Sequence, residues 1–321
     1  MNFMENHFNK ERLLPRRSSE LLHEFEQREE LIKGEKLNFS GVDERDVYNI
    51  SAPFWVGDKE YIAGRIEARE AWADSYVAFF QEKKGVWIPV SDTHRFKLED
   101  PFTNYIGEDL VFGGVEIYPN PQAIASRGAG FRTVFYRGRD IESLTRFAAG
   151  PDMMKDIRIA QLPNGRIGVF TRPLGGMYGK GKIGYLELNS LDELQPQHLL
   201  EARIIEDQFA PDEWGGVNEL HPFDDGRIGA LGHIAYQDAD GGKHYYAMSF
   251  VYDPQKHSTS PIKIIAARRN FPEGDAKTPE LQDVVFPGGL LRDGKGAATL
   301  YAGLSDVEAG RVSLRSDPFV S

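Results

Sequence analysis

The sequence predicts an all-β protein that carries one helix near its N-terminus. After Gly41 the chain consists of short runs rich in Val, Ile, Tyr and Phe, as is typical of strands. Gly, Asp-Gly and Pro-Asn-Gly turns separate these runs. Pairs of runs recur along the chain. Beyond short helical stretches near residues 141–147 and 191–200, no further helix is expected in this region.

The recurring pair consists of a run that ends in polar residues, a turn, and a second run that also ends in a polar or charged residue. The pairs are DVYNISAPFW with YIAGRIEAR, FKLEDPFTNY with LVFGGVEIYP, MMKDIRIAQL with GRIGVFTRP, GGVNELHPF with GRIGALGHIAY, and DVVFPGGLL with ATLYAGLSD. Equivalent points, at Tyr48, Lys97, Lys155, Val217 and Val284, recur about every 50 to 70 residues. This spacing predicts a five-bladed β-propeller over residues 41–321, with four strands in each blade.

Residues 1–40 are predicted to form a tail and an amphipathic helix. Residues 1–17 are polar and mixed in charge, which indicates a mobile tail. Ser18 and Ser19 are typical of a helix N-cap, and Gly34 is placed to end the helix. Apolar residues lie near one face of this helix: Leu21, Leu22, Phe25, Leu31 and Ile32. We expect that face to pack against the propeller; a dimer contact, and hence a homo-oligomer, is the alternative.

The composition of the chain limits the kinds of partner and of active site that are expected. The chain has 321 residues, a formal charge of -11 and no cysteine. The negative charge argues against nucleic acid or an anionic membrane as the main partner, and it favours a neutral substrate. The absence of cysteine excludes thiol nucleophiles and cysteine-based metal sites, and it suits a reducing compartment. Nowhere do 18 apolar residues follow one another, so we expect a cytoplasmic protein.

The stretch from Phe96 to Pro119 places an acidic pair between two predicted strands. Glu99 and Asp100 lie where the first run ends, and Pro101 disfavours helix there. Glu116 lies inside the apolar pattern of the second run. A carboxylate at the end of a buried strand is costly unless it is used. The alternative is an ordinary turn, since Asp-Pro is a common turn initiator.

In a propeller the innermost strands line a central channel, so the polar ends of the paired runs are expected to meet in one funnel. The residues are Asn49, Arg65 and Glu67 from the first blade; Glu99, Asp100 and Glu116 from the second; Lys155, Asp156, Arg158 and Arg172 from the third; Asn218, Glu219, His221 and His233 from the fourth; and Asp306 from the fifth. The same funnel would then hold acids and bases together.

Each of these residues also has a structural interpretation. Arg65, Arg158 and Arg172 could form ion pairs with neighbouring acids, and His233 could be a core histidine with its hydrogen bonds satisfied. The recurrence argues for function, because five unrelated turns need not place charged residues at the same point of a repeat. The two GRIG sequences are interpreted as turns and not as phosphate loops, because no helix follows them.

Three motifs resemble those of a known group of enzymes. LEDP (Leu98 to Pro101), GRIGVFTRP (Gly165 to Pro173) and the final stretch from Val284 to Asp306 resemble the five-bladed glycoside phosphorylases of glycoside hydrolase family 130. DVYNISAPF with the following AGRIE resembles the opening of a closer group, the mannosyltransferase-phosphorylases of glycosyltransferase family 108. The resemblance covers roughly residues 38 to 315.

The resemblance implies an enzyme that breaks or forms a β-1,2-linked mannosyl bond with inversion. Phosphate or an α-mannosyl phosphate donor would be its second substrate, and no metal or other cofactor is expected. By position, Asp100 would be the proton donor, acting through a sugar hydroxyl, and Asp306 would contact sugar. The phosphate site implied by the resemblance comprises Arg158, Arg172, His221 and His233, to which we add Lys155. Around Asn218 to Pro222 the chain departs from the family, so the role of His221 is open.

Reaction chemistry leaves three alternatives. An inverting hydrolase needs one carboxylic acid and one carboxylate that activates water. Phosphorolysis needs only the acid, because phosphate is already an anionic nucleophile that a cationic cradle can hold. Glu67, Glu116 and Glu219 are spare carboxylates, so hydrolysis stays open. The third alternative is a propeller that binds oligosaccharide without catalysis.

Overall fold

The computed structural model of the protein describes residues 15–28, 32–70, 74–91, 93–123 and 128–320. Strands dominate the described chain, which confirms the all-β class. The α-helices are α1 (Ser18–Arg28) and α2 (Pro196–Leu199), and short 3-10 helices occur at Gly176–Tyr178, Leu191–Glu193, Arg268–Asn270 and Pro279–Leu281. Among the described residues no helix is both long and apolar enough to cross a membrane.

Apart from the first strand, which joins the fifth unit, the strands fall into five mainly antiparallel units in chain order. The first contains β2 (Asn38–Phe39), β3 (Asp46–Tyr48), β4 (Phe54–Val56), β5 (Lys59–Glu67), β6 (Tyr76–Lys83) and β7 (Val86–Pro89). The second contains β8 (Glu99–Ile106), β9 (Asp109–Pro119), β10 (Ala129–Gly138) and β11 (Thr145–Ala149). The third contains β12 (Arg158–Gln161), β13 (Ile167–Thr171), β14 (Gly184–Leu188) and β15 (Arg203–Ile204). The fourth contains β16 (Trp214–Pro222), β17 (Ile228–Gln237), β18 (Lys243–Asp253), β19 (Ser258–Thr259) and β20 (Lys263–Ala266). The fifth contains β21 (Asp283–Arg292), β22 (Ala298–Leu304), β23 (Glu308–Leu314) and, from the N-terminal side, β1 (Glu35–Lys36).

By hydrogen bonding the units make four sheets, of six, four, four and nine strands. The nine-stranded sheet joins the fourth and fifth units through a short parallel pairing of β18 with β21, at His244 with Asp283 and Tyr245 with Val284. Five units are therefore present in the described residues, but the sheets are not five separate ones. The count of five blades stays our interpretation of this topology.

Hydrophobic packing arranges the units in a ring. One buried cluster lies between each pair of consecutive units, and a further cluster joins the first unit to the fifth, where Val47 and Ile62 pack in the same core as Tyr301 and Ala309. Such a ring brings the inner strand of every unit to a common centre. The polar ends of those strands are thereby directed toward one another.

The N-terminal strands take part in the sheets. β1 pairs with β23, where Glu35 is opposite Arg311 and accepts a hydrogen bond of 2.6 Å from its Nε. β2 pairs in parallel with β7. Both strands precede residue 41, so strand pairing begins before the predicted boundary. The division of the chain at residue 40 stays a prediction.

Helix α1 confirms the predicted N-terminal helix and its packing, but residues 32–34 are not helical, so the predicted end of the helix at Gly34 is wrong. Leu21 and Phe25 are buried in the cluster that joins the third and fourth units. The Ser18 hydroxyl donates a hydrogen bond of 2.8 Å to Glu213. Leu31 lies outside the described residues, as does the predicted tail up to residue 14.

One predicted helical stretch is wrong. Residues 145–149 form the strand β11, which pairs with β10 at the edge of the second unit. Hydrogen bonding to a neighbouring strand outweighs a weak local preference in such a short segment. The other stretch is helical as predicted, at Leu191–Glu193 and Pro196–Leu199.

Candidate functional site

A cavity of about 240 Å³ lies where the five units meet. We call it the central cavity. All five units contribute to its lining: Asn49, Arg65, Glu99, Asp100, Lys155, Lys243, Tyr245, Leu281, Val284, Phe286 and Asp306. The structure therefore brings six of the predicted site residues together: Asn49, Arg65, Glu99, Asp100, Lys155 and Asp306.

Four polar residues at the centre share an unusual backbone conformation. Asn49, Asp100, Asp156 and Asp306 have φ values of 45°, 47°, 59° and 55°. This left-handed region is sparsely occupied by residues other than glycine, although Asn and Asp tolerate it best. The first three units thus place the same conformation and the same kind of side chain near equivalent points of the repeat, and Asp306 adds a fourth instance after the second strand of the fifth unit. Strained backbone of this kind is concentrated at functional sites.

Asp100 is buried and held at one oxygen. It lies at a bulge in β8, between Glu99 and Phe102. Its Oδ1 accepts a hydrogen bond of 2.7 Å from Asn49 Nδ2 and one of 3.2 Å from Arg65 Nη1. Neither of these bonds uses Oδ2. The carboxyl group is therefore fixed in orientation while its second oxygen is not engaged by these two donors.

Arg65 joins the carboxylates around Asp100. Its Nη2 lies 3.1 Å from Glu67 and 3.0 Å from Glu99, and its Nε donates to Ser75 Oγ at 2.9 Å. Burial disfavours the charged guanidinium, but Asp100 and Glu99 outweigh it and raise the pKa of Arg65. Burial also raises the pKa of Glu99 and of Asp306.

Glu67 is fully buried and has two further partners. The Tyr48 hydroxyl donates to its Oε2, and the Lys277 ammonium pairs with the same oxygen. Lys277 was not predicted from the sequence, because it lies in an irregular segment between β20 and β21 that carries no strand pattern. A buried carboxylate needs such compensation. Glu67 is therefore held by Arg65 and Lys277, and it does not line the central cavity.

A second buried group lies beside the central cavity. Arg172 donates from Nη1 to Asp156 at 2.8 Å, from Nε to the Gly215 carbonyl at 2.9 Å and from Nη2 to the Lys180 carbonyl at 2.9 Å. Although burial favours the neutral acid, Arg172 and Lys155 hold the pKa of Asp156 well below its usual range. The partner of Arg172 is thus Asp156.

His233 and Arg158 meet at Asn218 in the same group. His233 Nδ1 lies 2.9 Å from the Asn218 amide oxygen, and Arg158 Nε donates to the Asn218 carbonyl at 2.8 Å. Burial lowers the pKa of His233 to about 3, and burial also lowers the pKa of Arg158. The imidazole is therefore neutral at physiological pH, donating from Nδ1 and leaving Nε2 as an acceptor.

Lys155 connects this group to the central cavity. The ammonium forms no hydrogen bond with any residue of the described ranges. Burial lowers its pKa, but Asp156 and Asp100 outweigh burial and raise the pKa of Lys155. Lys155 is consequently a cation in the cavity wall whose donors are available to a ligand.

Three predicted residues lie elsewhere. Glu219 Oε2 accepts from His221 Nε2 at 2.7 Å and from the Leu290 amide at 2.6 Å, after a bulge in β16 at Asn218. Glu116 pairs with Arg132 at 2.8 Å and Arg146 at 2.7 Å, which lower its pKa against the effect of burial. Glu219, His221 and Glu116 do not line the central cavity.

Two polar residues that line the central cavity were also missed by the sequence analysis. Lys243 and Tyr245 are on the third strand of the fourth unit, whereas the prediction considered only the first two strands of each unit. The Tyr245 ring stacks on His233 at 5.5 Å, and its hydroxyl accepts from Trp214 Nε1 at 3.2 Å. Within the described ranges no group of three or more His, Cys, Asp or Glu residues could hold a metal ion.

The chain is similar to solved structures over most of its length. A mannose phosphorylase from Leishmania mexicana, MPT-4, in complex with phosphate ion is 34% identical, with a TM-score of 0.84 over 94% of this chain and 97% of that one. MPT-1, a GDP-Man-dependent mannosyltransferase from Leishmania mexicana, is 33% identical, with a TM-score of 0.84 over 94% and 96%. These structures confirm the resemblance seen in the motifs.

Other comparisons place the chain more broadly. A family model described as "Protein of unknown function (DUF1861)" matches residues 23–321. A GH130 structure, from a family of mannoside phosphorylases that contains glycoside hydrolases targeting β-1,2 linkages in Candida mannan, is 12% identical. It has a TM-score of 0.55 over 84% of each chain, and it shares the fold. No curated protein matches the sequence.

Proposed function

The chain belongs to the DUF1861 family, and from this premise we propose that it is an inverting β-1,2-mannoside phosphorylase or β-1,2-mannosyltransferase. Its relatives at 34% and 33% identity are both enzymes, and so is this chain. The observation that carries the proposal is the central cavity, where the buried acid Asp100 and the cation Lys155 line the same space.

Phosphorolysis needs one proton and one nucleophile. A phosphate oxygen attacks the anomeric carbon from the face opposite the glycosidic oxygen, forming a carbon–oxygen bond as the glycosidic bond breaks. Asp100 supplies the proton to the departing oxygen, through a sugar hydroxyl as the resemblance implies. The products are α-mannose 1-phosphate and an acceptor with a free hydroxyl. In the synthetic direction the same carboxylate removes the acceptor proton.

We assign the phosphate site to Lys155 with Arg158, Arg172 and His233 behind it. A guanidinium has five N–H donors. Arg172 uses three of them in the hydrogen bonds described above, and Arg158 uses two, one to the Asn218 carbonyl and one of 3.1 Å to the Ile157 carbonyl. Both therefore retain donors for phosphate oxygens. His233 Nε2 can accept a hydrogen bond from protonated phosphate. His221 is left out of this site because Glu219 engages it.

The remaining residues divide between sugar contact and positioning. Asn49 and Asp306 line the central cavity and are assigned to the mannosyl group, and Glu99, which also lines it, is assigned to the acceptor. Arg65 and Glu67 hold Asp100 in place. Asp156 and Asn218 orient the phosphate-binding side chains, Asp156 through Arg172 and Asn218 through His233.

Hydrolysis is the second candidate, which the spare carboxylates Glu67, Glu116 and Glu219 do not support but Asp306 does. A hydrolase needs a free carboxylate to activate water. Glu67, Glu116 and Glu219 are each engaged by cationic or N–H partners. Asp306 lines the central cavity without a hydrogen bond to any part of the chain that the structure describes, so it is the base that hydrolysis would use.

The deciding experiment uses β-1,2-mannobiose with and without phosphate. We expect mannose 1-phosphate to form only when phosphate is present. Release of mannose without phosphate would mean that the reaction is hydrolysis and not phosphorolysis. In that case Asp306→Asn should abolish the release of mannose. GDP-mannose as donor, with mannose as acceptor, tests the transferase direction. Binding of the disaccharide without any turnover would make the protein a sugar-binding propeller.

A further inference from the structure

A larger cavity lies beside the central one. Its volume is about 320 Å³, and it opens between the first and second units. We call it the side cavity. Its lining consists of Ser75, Lys97, Leu98, Glu99, Val115, Ile117, Tyr118, Pro119, Gly128 and Ala129. This volume is within the range of small-molecule sites.

The two cavities meet at Glu99, which lines both of them. Ser75, from the wall of the side cavity, accepts the hydrogen bond from Arg65 Nε that helps to hold Arg65 at Asp100. A molecule with one sugar at Asp100 can therefore extend past Glu99 into the side cavity. Asp100 protonates the glycosidic oxygen that departs with the acceptor. The part of the substrate that extends into the side cavity is therefore the acceptor.

The wall of the side cavity is held rigidly. The Tyr118 ring packs under the Arg132 guanidinium at 4.8 Å, and a Cβ at Gly130 would lie only 2.5 Å from the ring. Gly130 therefore leaves the space that the ring needs. Arg132 is in turn fixed by Glu116. This arrangement gives Glu116, predicted to bind substrate, a function in positioning a wall.

The chemistry of this wall is apolar. Half of its ten lining residues are aliphatic, namely Leu98, Val115, Ile117, Pro119 and Ala129, and Ile117 is 43% exposed. A sugar ring is bound through several hydrogen bonds, whereas away from Glu99 the polar side chains of this wall are Ser75, which Arg65 engages, Lys97 and Tyr118. Uncovered apolar surface inside a pocket is a site for an apolar ligand.

Resting on the proposed function, we propose that the side cavity binds an apolar aglycone of the acceptor sugar. The acceptor is then a mannoside whose anomeric substituent is a hydrocarbon or aromatic group, in preference to free mannose. Its sugar lies at Asp100 and its aglycone lies against Ile117 and Tyr118.

The test compares hexyl mannoside with methyl mannoside of the same anomeric configuration, with mannose 1-phosphate as donor and phosphate release as the readout. We expect kcat/KM to be about 10-fold higher for the hexyl compound, because its added methylenes leave water. In Ile117→Glu the ratio of kcat/KM for hexyl mannoside to that for methyl mannoside should fall to near one. Trp55→Glu is the matched control, because Trp55 is also 43% exposed but lies on another hairpin.

Calorimetric binding of hexyl mannoside to wild type and to Ile117→Glu separates the two proposals. If neither acceptor is turned over, the proposed function fails, but tighter binding of the hexyl compound by wild type still supports the side cavity. Equal kcat/KM for both acceptors in wild type, with equal calorimetric affinities, overturns the inference and leaves the enzyme activity standing. A ratio of kcat/KM for hexyl over methyl mannoside that stays near 10 in Ile117→Glu also overturns the inference.

Discussion

Replacing Asp100 by Asn removes the proton that the proposed reaction needs while keeping the shape of the site. The amide oxygen of the variant can still accept the hydrogen bonds from Asn49 and Arg65. The backbone at this position has a φ of 47°, which Asn adopts as readily as Asp. Alanine would remove the acid and strain the backbone together, so it is the less informative change.

The expected magnitude is large for turnover and small for stability. General acids contribute about 100-fold or more, which corresponds to about 2.7 kcal/mol in the activation barrier. Stability changes little, because four carboxylates surround Arg65: Glu67, Glu99, Asp100 and Asp306. Removing the negative charge of one of them also relieves the repulsion among the four. We expect the free energy of unfolding to change by about 1 kcal/mol or less.

The assay is mannose 1-phosphate formation from β-1,2-mannobiose, with urea unfolding on the same samples. Asp43→Asn is a matched control, because Asp43 has a similar φ of 51° but is exposed outside the central cavity. Its turnover should equal that of wild type. Turnover of Asp100→Asn within about threefold of wild type, with intact stability, would remove Asp100 from the role of general acid.

Three further predictions concern the surroundings of Asp100. Arg172→Lys should raise the KM for phosphate. It should also lower the free energy of unfolding by about 2 kcal/mol, because lysine cannot keep the hydrogen bonds to the Gly215 and Lys180 carbonyls. Lower stability with an unchanged KM for phosphate would make Arg172 purely structural. His233 has a folded pKa of about 3 against about 6.5 when unfolded, so the unfolded state binds more protons and stability falls as pH drops; between pH 7 and 5 the loss is about 2 kcal/mol, and urea titrations of His233→Gln should lack it. Gly303→Ala places a Cβ 2.6 Å from Asn49 N, so both turnover and melting temperature should fall, and an unchanged kcat would separate Asn49 from the orientation of Asp100.

The periodic part of the molecule could be predicted from sequence. Strand pairs alternate with turns at regular spacing, and the polar ends of those pairs do converge, as Asn49, Asp100 and Asp306 demonstrate. Short Asp and Asn side chains tolerate the left-handed backbone at Asn49, Asp100 and Asp156, which lie near equivalent points of the first three units.

Residues outside the repeat could not be found in this way. Lys277 reaches Glu67 from an irregular segment 210 residues further along the chain, and no local pattern encodes such a contact. Glu116 failed as a cavity residue because its partner strand places Arg132 directly opposite it, and that cross-strand ion pair holds it away from the centre. Register between strands is decided by pairing, which the alternation along a single strand leaves undetermined.

The pairing of β1 with β23 also constrains how the protein folds. Glu35 and Arg311 are 276 residues apart, so the contact that completes the fifth unit joins nearly the two ends of the chain. Contacts of such separation are slow to form because loop closure must precede them. On the ribosome the ring cannot close until Arg311 has emerged, and until then β1 and β22 lack their partner strand β23. We therefore expect truncation before Glu308 to yield an aggregating chain and not a smaller stable ring.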